Sequence, residues 1–184
     1  MSLRYVVLSL LDRAPRSGYD VVKSFDGSVG YFWQASHQQV YRELAQLHEL
    51  GWVGFTTESG GERPDRKVYH LADEGRRALR EWLQKPLPAP RIRSPLLLKL
   101  YAADTDDAGA LVAELSLRRE ETAGQLADYR RIEAQHYVPP PDARRPFRER
   151  MLYLTLRRGL LDAEQDLVWL DETIDALREH AGET

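Results

Sequence analysis

Residues 35–55, ASHQQVYRELAQLHELGWVGF, change their hydrophobic rhythm in the middle, and this change limits the possible folds more than any other feature. Up to Leu50 the apolar residues recur at intervals of three and four, as on one face of a helix. From Trp52 onward they alternate, as in a half-buried strand. The chain must therefore form a helix, a break at Gly51 and a strand in immediate succession.

Local signals predict where this helix starts and ends. Ser36 followed three residues later by Gln39 matches the capping box, in which the hydroxyl accepts a backbone N–H and the glutamine reaches back to the N-cap. Gly51 stands where the left-handed residue of a helix C-cap would fall. The predicted buried face consists of Val40, Leu44 and Leu47. The opposite face carries Gln38, Gln39, Arg42 and Gln46.

Periodicity and turn residues divide the rest of the first half. The further predicted helices are 3–11, 19–25 and 72–84, and the predicted strands are 52–58 and 67–71. A polar loop, SGGERPDR, joins the two strands into a hairpin. The stretch DRAPRSG, residues 12–18, is predicted to be a turn, and a proline-rich linker follows the last helix.

Beyond the linker the chain is predicted to be helical over residues 95–103, 107–136 and 147–180. The last helix has a period of 3.5 residues, which is typical of a coiled-coil seam and needs a partner helix. The seam consists of Leu156, Leu160, Ala163, Leu167, Leu170, Ile174 and Leu177. We predict that a second copy of the chain covers it; the alternative is the helix over residues 107–136.

These elements are typical of a winged helix-turn-helix followed by a helical association domain. The predicted fold class is mainly α with a small β-hairpin. The predicted domains are a winged helix-turn-helix over residues 1–85, a linker over 86–93 and a helical dimerisation domain over 94–184. A recognition helix presents polar side chains to base edges in the major groove, and its glycine turn leads directly into the wing.

The distribution of charge along the chain indicates that the first half, and not the second, would bind a polyanion such as DNA. The whole chain has a net charge of −3. Residues 1–85 carry 12 lysines and arginines against 11 acidic residues, a net charge of +1, whereas the remainder carries 14 against 18, or −4. The acidic total leaves open a second function, a winged-helix module that binds a protein partner instead of DNA.

Three motifs, SGYDVV, QQVYRELAQLHELGWV and RPDRKVYHLADEGRRAL, resemble in order and spacing those of the PadR family of bacterial transcriptional regulators. The tail from RIRSPLLLKLYAAD onward resembles the AphA-like helical domain of a longer subgroup. The resemblance implies a homodimeric DNA-binding repressor or activator that reads an inverted repeat and, in many members, responds to a small aromatic or lipophilic effector; of the two roles we predict a repressor. One departure is Ala72, where the family usually has a capping threonine, so Asp73 is an alternative cap.

Three groups of site residues follow from these patterns and from the resemblance. The predicted DNA-binding residues are Ser36, Gln38, Gln39, Tyr41, Arg42, Arg63, Arg66 and Lys67. The predicted dimerisation residues are Leu156, Leu160, Leu167, Leu170, Ile174 and Leu177. A candidate effector pocket comprises Trp33, Trp82, Tyr101, Tyr153 and Trp169. Because the capping box occupies Gln39, we assign base contact to Gln38, since glutamine can bond adenine N6 and N7 together.

The remaining features exclude other classes of protein. The chain has no cysteine, and its five histidines lack the spacing of a metal site. The stretch DTDDAG, residues 104–109, does not fit a calcium loop and is predicted to cap the following helix. No catalytic or nucleotide-binding motif occurs, so we predict no enzyme activity and no cofactor. No apolar run could span a membrane, so we predict a soluble protein. The absence of cysteine suits the reducing cytoplasm, where we expect the protein to be located.

Overall fold

The computed structural model describes residues 3–25, 32–33, 35–59, 65–89, 93–140, 142 and 144–181. Its internal contacts divide the chain into two compact units, residues 1–90 and 91–184. None of the helices within the described ranges is long and apolar enough to cross a membrane.

The described part of the first unit consists of helices around a small antiparallel sheet. The helices are α1 (Leu3–Leu11), α2 (Gly18–Ser24), α3 (His37–Glu49) and α4 (Asp73–Gln84). The strands are β1 (Arg16–Ser17), β2 (Val53–Glu58) and β3 (Arg66–Leu71), in the spatial order β1-β3-β2. The predicted fold class, mainly α with a winged helix-turn-helix, is confirmed.

One strand is absent from the sequence-based prediction. The turn predicted over residues 12–18 is wrong at its end, because Arg16 and Ser17 form β1 and pair with Tyr69 and Val68 of β3. A strand of two residues is too short to show alternation, and its partner lies far along the chain. The wing is therefore a three-stranded sheet and not a hairpin alone.

Local signals set both ends of α3, as the sequence predicts. Ser36 Oγ accepts the backbone N–H of Gln39 at 3.3 Å, and Gln39 Oε1 accepts the backbone N–H of Ser36 at 2.8 Å. Gly51 has a φ of 71°, a conformation that glycine adopts without steric cost. The chain then passes directly into β2.

An apolar core holds α3 in one orientation. Its three buried residues, Val40, Leu44 and Leu47, are at most 1% exposed. They pack against buried residues of α1, α2, β2 and α4 and against the C-cap of α2. These residues are Val7, Leu8, Leu10, Leu11, Val21, Val22, Phe25, Val53 and Leu79. With its apolar face fixed in this way, α3 must turn its polar face out of the unit.

The start of α4 is tied to the turn between α3 and β2. Asp73 is the first helical residue and Ala72 is the N-cap, so the alternative in which Asp73 caps the helix is wrong. Ala72 makes no side-chain cap bond. Its backbone N–H instead donates to Trp52 O at 3.0 Å. The carboxylates of Asp73 and Glu74 lie in the first turn, where they interact favourably with the helix dipole.

The second unit contains the helices α5 (Pro95–Ala102), α6 (Ala108–His136) and α7 (Phe147–Ala181). A short 3-10 helix, Thr105–Asp107, precedes α6. Asp104 caps it by accepting the Thr105 N–H at 2.7 Å, and Asp107 accepts the Asp104 N–H at 3.0 Å. The acidic stretch therefore caps the 3-10 helix, whereas the prediction that it caps the long helix is wrong: Asp107 is the N-cap of α6 and makes no side-chain cap bond there.

Helices α6 and α7 form an antiparallel pair. Their cross-helix polar contacts join Arg119 to Asp171, Arg130 to Glu164 and Glu133 to Tyr153. As the residue number rises along α6, the number of its partner on α7 falls, which fixes the antiparallel direction.

The apolar seam of α7 is buried within its own chain. Four of the predicted dimerisation residues, Leu156, Leu160, Leu170 and Ile174, are at most 3% exposed in the single chain. Leu170 and Ile174 cluster with Leu115 of α6. A side chain buried in this way has no surface left for a second copy, so the prediction that these four form a dimer contact is wrong. The other two, Leu167 and Leu177, are half-buried. The intramolecular alternative is observed.

Candidate nucleic-acid interface

The exposed face of α3 carries the side chains that the sequence predicts to contact DNA. Gln38, Gln39, Tyr41 and Arg42 are all exposed, and so is Ser36 at the N-cap. This face therefore combines hydrogen-bonding groups with one positive charge, which suits both base edges and phosphates.

The two adjacent glutamines have different roles in the structure. The side-chain carbonyl of Gln39 accepts the Ser36 N–H and so closes the capping box. A glutamine that reads adenine uses its carbonyl and its amide together. Gln39 cannot do this while it holds the cap, whereas Gln38 is exposed and lies outside the capping box.

Tyr41 packs across the start of α2. A Cβ atom placed on Gly18 would lie 2.6 Å from Cε1 of the Tyr41 ring, so only glycine leaves room for the ring in this position. Burial raises the pKa of Tyr69 on β3, and the nearby Tyr41 adds to the effect. Tyr41 thus lies where α2, α3 and the wing meet, and it is still 48% exposed.

We expect Gly18→Ala to weaken duplex binding about tenfold without unfolding the unit, because the new methyl group displaces the Tyr41 ring and with it the DNA contact predicted for Tyr41. Fluorescence anisotropy with a labelled duplex measures the affinity, and circular dichroism checks the fold. A double-mutant cycle with Tyr41→Ala provides the control. If Gly18→Ala causes the same loss in the Tyr41→Ala background, the effect does not act through Tyr41.

The wing residues differ in how their charges are compensated. Arg66 forms an exposed ion pair with Glu58, with Nη2 and Oε2 2.8 Å apart. Lys67 Nζ lies 4.3 Å from the centroid of the Phe55 ring, a cation–π contact that leaves its charge uncompensated by this neighbour. Exposed ion pairs contribute little, so a phosphate can replace Glu58 at small cost. Arg63 lies outside the described residues.

Two further candidates for DNA contact, one on β1 and one at the start of α2, are not among the predicted residues. Tyr19 is 66% exposed beside the Gly18 position on which Tyr41 packs. Arg16 lies on β1, and its buried Nε has no hydrogen-bond partner among the described residues. Tyr19 belongs to the SGYDVV motif, so the motif itself could have indicated it. Arg16 could not have been found, because its stretch has the composition of a turn.

Two arginines act on the carboxylate of Asp20 at this junction. The Ser17 hydroxyl donates a 2.7 Å bond to Asp20 Oδ2 and thereby lowers the pKa of Asp20. The positive charges of Arg66 and Arg16 lower it further. A phosphate that approaches the start of α2 would meet these two charges, from β3 and β1, in competition with the carboxylates of Asp20 and Glu58.

The aromatic residues of the candidate effector pocket have separate surroundings. In the first unit, the ring of Trp82 stacks on Tyr5 with centroids 4.6 Å apart, and Trp33 packs against the core. The remaining three belong to the second unit. Of these five aromatics, Trp169 lines a cleft of the second unit.

In the second unit the three aromatic side chains lie at different places. Tyr153 donates a 3.1 Å hydrogen bond to Glu133 Oε1, and Trp169 packs beside Leu170 and Ile174. Tyr101 is 90% exposed. No group of three or more side chains suited to a metal ion occurs in the parts of the chain that are described.

Comparisons with known proteins match this architecture in two successive parts. The transcriptional regulator PadR-like family matches residues 7–81, and the virulence activator alpha C-term family matches residues 92–178. The probable transcriptional regulator Rv1176c of Mycobacterium tuberculosis is 35% identical over 189 residues, which cover 97% of this chain and 99% of the relative. The chain belongs to the PadR-like family.

Solved structures of PadR-like regulators have the same fold. The Vibrio cholerae virulence activator AphA is 38% identical, with a TM-score of 0.82, over 97% of this chain and 99% of that one. Bacillus subtilis PadR in complex with operator DNA is 28% identical, with a TM-score of 0.78, over 96% and 99%. The same PadR with p-coumaric acid gives a TM-score of 0.75 at 28% identity, over 97% and 99%. The PadR-like family consists of transcriptional regulators, which are not enzymes.

Proposed function

We propose that this PadR-like regulator represses transcription as a homodimer that binds an inverted-repeat operator in bacterial cytoplasm. The observation that carries the proposal is the exposed polar face of α3, with Gln38, Tyr41 and Arg42 on one surface and Lys67 of the wing in the same unit. In a winged helix-turn-helix, such a face enters the major groove while the wing follows the backbone. The Bacillus subtilis PadR that was crystallised with its operator supports this mode of binding.

A second stripe of apolar residues on α7 supports dimerisation. Unlike the buried seam, its members remain exposed in the single chain by 36% to 74%: Phe147, Met151, Leu154, Leu161 and Val168. Their intervals of four, three, seven and seven keep them on one face of the helix. An exposed apolar stripe of this length favours association with another helix.

The charges of α7 favour an antiparallel dimer. Residues 147–158 carry four arginines and one glutamate, whereas residues 159–179 carry seven acidic residues and one arginine. A two-fold axis near the middle of the stripe would place the basic part of each helix against the acidic part of its partner. A parallel arrangement would bring like charges together.

We expect Leu154→Glu/Leu161→Glu to raise the dimer dissociation constant more than about 100-fold, since each leucine buried on association contributes about 1.5–3 kcal/mol. Sedimentation velocity over a concentration series measures it. Leu117→Glu on α6 is the control, because Leu117 is 64% exposed but lies outside the stripe. A double variant that remains dimeric at the concentrations at which the parent does would contradict the assignment of the interface.

Selection from a random duplex pool tests the function, because it requires no candidate operator. We expect the recovered sequences to contain two inverted half-sites about one helical turn apart. Affinity for the recovered duplex should fall with salt at about −0.9 per phosphate neutralised. Failure to enrich any sequence, with no duplex affinity at low salt, would contradict the proposal and favour the protein-interaction module.

The direction of regulation and the effector need their own measurements. The negative regulator PadR supports repression, and its structure with p-coumaric acid supports release by a small aromatic or lipophilic ligand. A reporter gene behind the selected site should lose expression when the protein is present; a gain would identify an activator. An effector must change the affinity for the duplex, since coupling is a change in binding free energy.

A further inference from the structure

A cleft in the second unit lies between the start of α5 and one face each of α6 and α7. Its volume is about 500 Å³, within the usual range of ligand sites. Each long helix lines it with residues at positions i, i+3 and i+4, which are Arg118, Glu121 and Thr122 on α6 and Asp166, Trp169 and Leu170 on α7. Leu96 and Leu170, both largely buried, give it an apolar floor.

The charged groups of the cleft are not balanced. Arg118 is held by Glu114 on the preceding turn of α6, with Nη2 and Oε1 3.4 Å apart. Glu121 and Asp166 have no hydrogen-bond or ion-pair partner among the residues that the structure describes. Two uncompensated carboxylates therefore border an apolar floor from opposite helices.

Trp169 adds a surface that suits a cation with an apolar body. Its ring is half-buried against the Leu96, Leu170 and Ile174 cluster and lines the cleft. The face of an indole ring attracts an ammonium group, and it also packs well against aromatic or aliphatic groups. An anionic ligand would instead meet two carboxylates and an arginine that is already paired.

From this arrangement we propose that the cleft binds an organic cation with an aromatic or aliphatic body, that is, a lipophilic amine. The ammonium group lies between Glu121 and Asp166, and the apolar body rests on Trp169 and the leucine floor. Binding here does not depend on whether the protein binds DNA, so it is tested by direct binding to the full-length protein.

Three probes of nearly the same shape separate the contribution of the ligand's charge to the affinity from that of its apolar contacts. They are 2-phenylethylamine, 2-phenylethanol and 3-phenylpropionate. We expect isothermal titration calorimetry at low salt to show the amine binding about tenfold more tightly than the alcohol, since each exposed ion pair adds a modest amount. The anion should bind most weakly. Trp169 is the sole tryptophan of residues 91–184, so Trp169→Phe should remove the part of the fluorescence change that the amine causes in this unit.

Matched charge variants test whether the preference for the amine over the alcohol arises in the cleft. Glu121→Gln/Asp166→Asn should bring the affinities for the amine and the alcohol to within about twofold of each other, because no ion pair remains. Glu120→Gln/Glu172→Gln changes the net charge equally on the same two helices but outside the cleft, and should leave the tenfold preference unchanged. The proposal is overturned if no probe binds, if the anion binds best, or if both double variants lose the preference alike.

Discussion

Gly75→Ala is expected to lower the free energy of unfolding of the first unit by about 1–3 kcal/mol, even though alanine is the better helix former. A Cβ atom at Gly75 would collide with the backbone carbonyl oxygen of Trp52 and lie 2.9 Å from Leu71 Cδ1. The Trp52 carbonyl also accepts the Ala72 N–H that anchors the start of α4. The methyl group must therefore push α4 away from the turn that joins α3 to the wing.

Gly124→Ala is the matched control for this prediction. Gly124 also lies inside a helix, but a Cβ there would meet no atom within 4 Å. Alanine should stabilise α6 by up to about 1 kcal/mol through helix propensity alone. Urea denaturation followed by circular dichroism measures both variants. If the free energy of unfolding changed equally and in the same direction in both variants, the contact with Trp52 would not be the reason why residue 75 must be glycine.

Gln38→Ala is expected to reduce the discrimination between the selected operator and a scrambled duplex by up to about 100-fold, because a good bidentate contact contributes about 1–3 kcal/mol. Binding to the scrambled duplex should hardly change, since no phosphate contact is lost. For the same reason, the slope of the logarithm of affinity against the logarithm of salt concentration should equal that of the parent protein. Anisotropy titrations with both duplexes over a salt series measure all three quantities.

Two other glutamines of α3 serve as controls. Gln46→Ala removes an exposed glutamine from the later part of the same helix and should leave discrimination unchanged. Gln39→Ala opens the capping box, so it should lower stability by about 0.5–2 kcal/mol. If Gln39→Ala relaxes the sequence preference more than Gln38→Ala does, the assignment of base contact to Gln38 is wrong.

The elements with local signals were predictable from the sequence, and the core of the candidate interface is among them. Ser36, Gln39 and Gly51 specify both ends of α3 through bonds and dihedral angles within a few residues. Features set by distant partners were not predictable. Arg16 is in a strand only because β3 lies beside it, and Ala72 caps α4 without a side-chain bond, with its N–H on Trp52 O.

The two apolar stripes of α7 illustrate a further limit. Both the buried seam, with Leu156 and Leu160, and the exposed stripe, with Leu154 and Leu161, follow heptad spacing. Spacing indicates that a helix face will be covered, but it does not name the helix that covers it. The prediction therefore assigns the more regular stripe to the dimer, whereas α6 of the same chain covers it.

For the proposed function, the capping box also limits how many base pairs α3 can distinguish. Because the Gln39 carbonyl holds the Ser36 backbone, a single helix distinguishes fewer base pairs than its row of polar residues suggests. A recognition sequence specified by so few base pairs occurs by chance many times in a genome, where millions of other sites compete for the protein. In an operator of the proposed kind, the bond that starts α3 thus makes one half-site ambiguous, and a second half-site at a fixed distance must make the whole site unique.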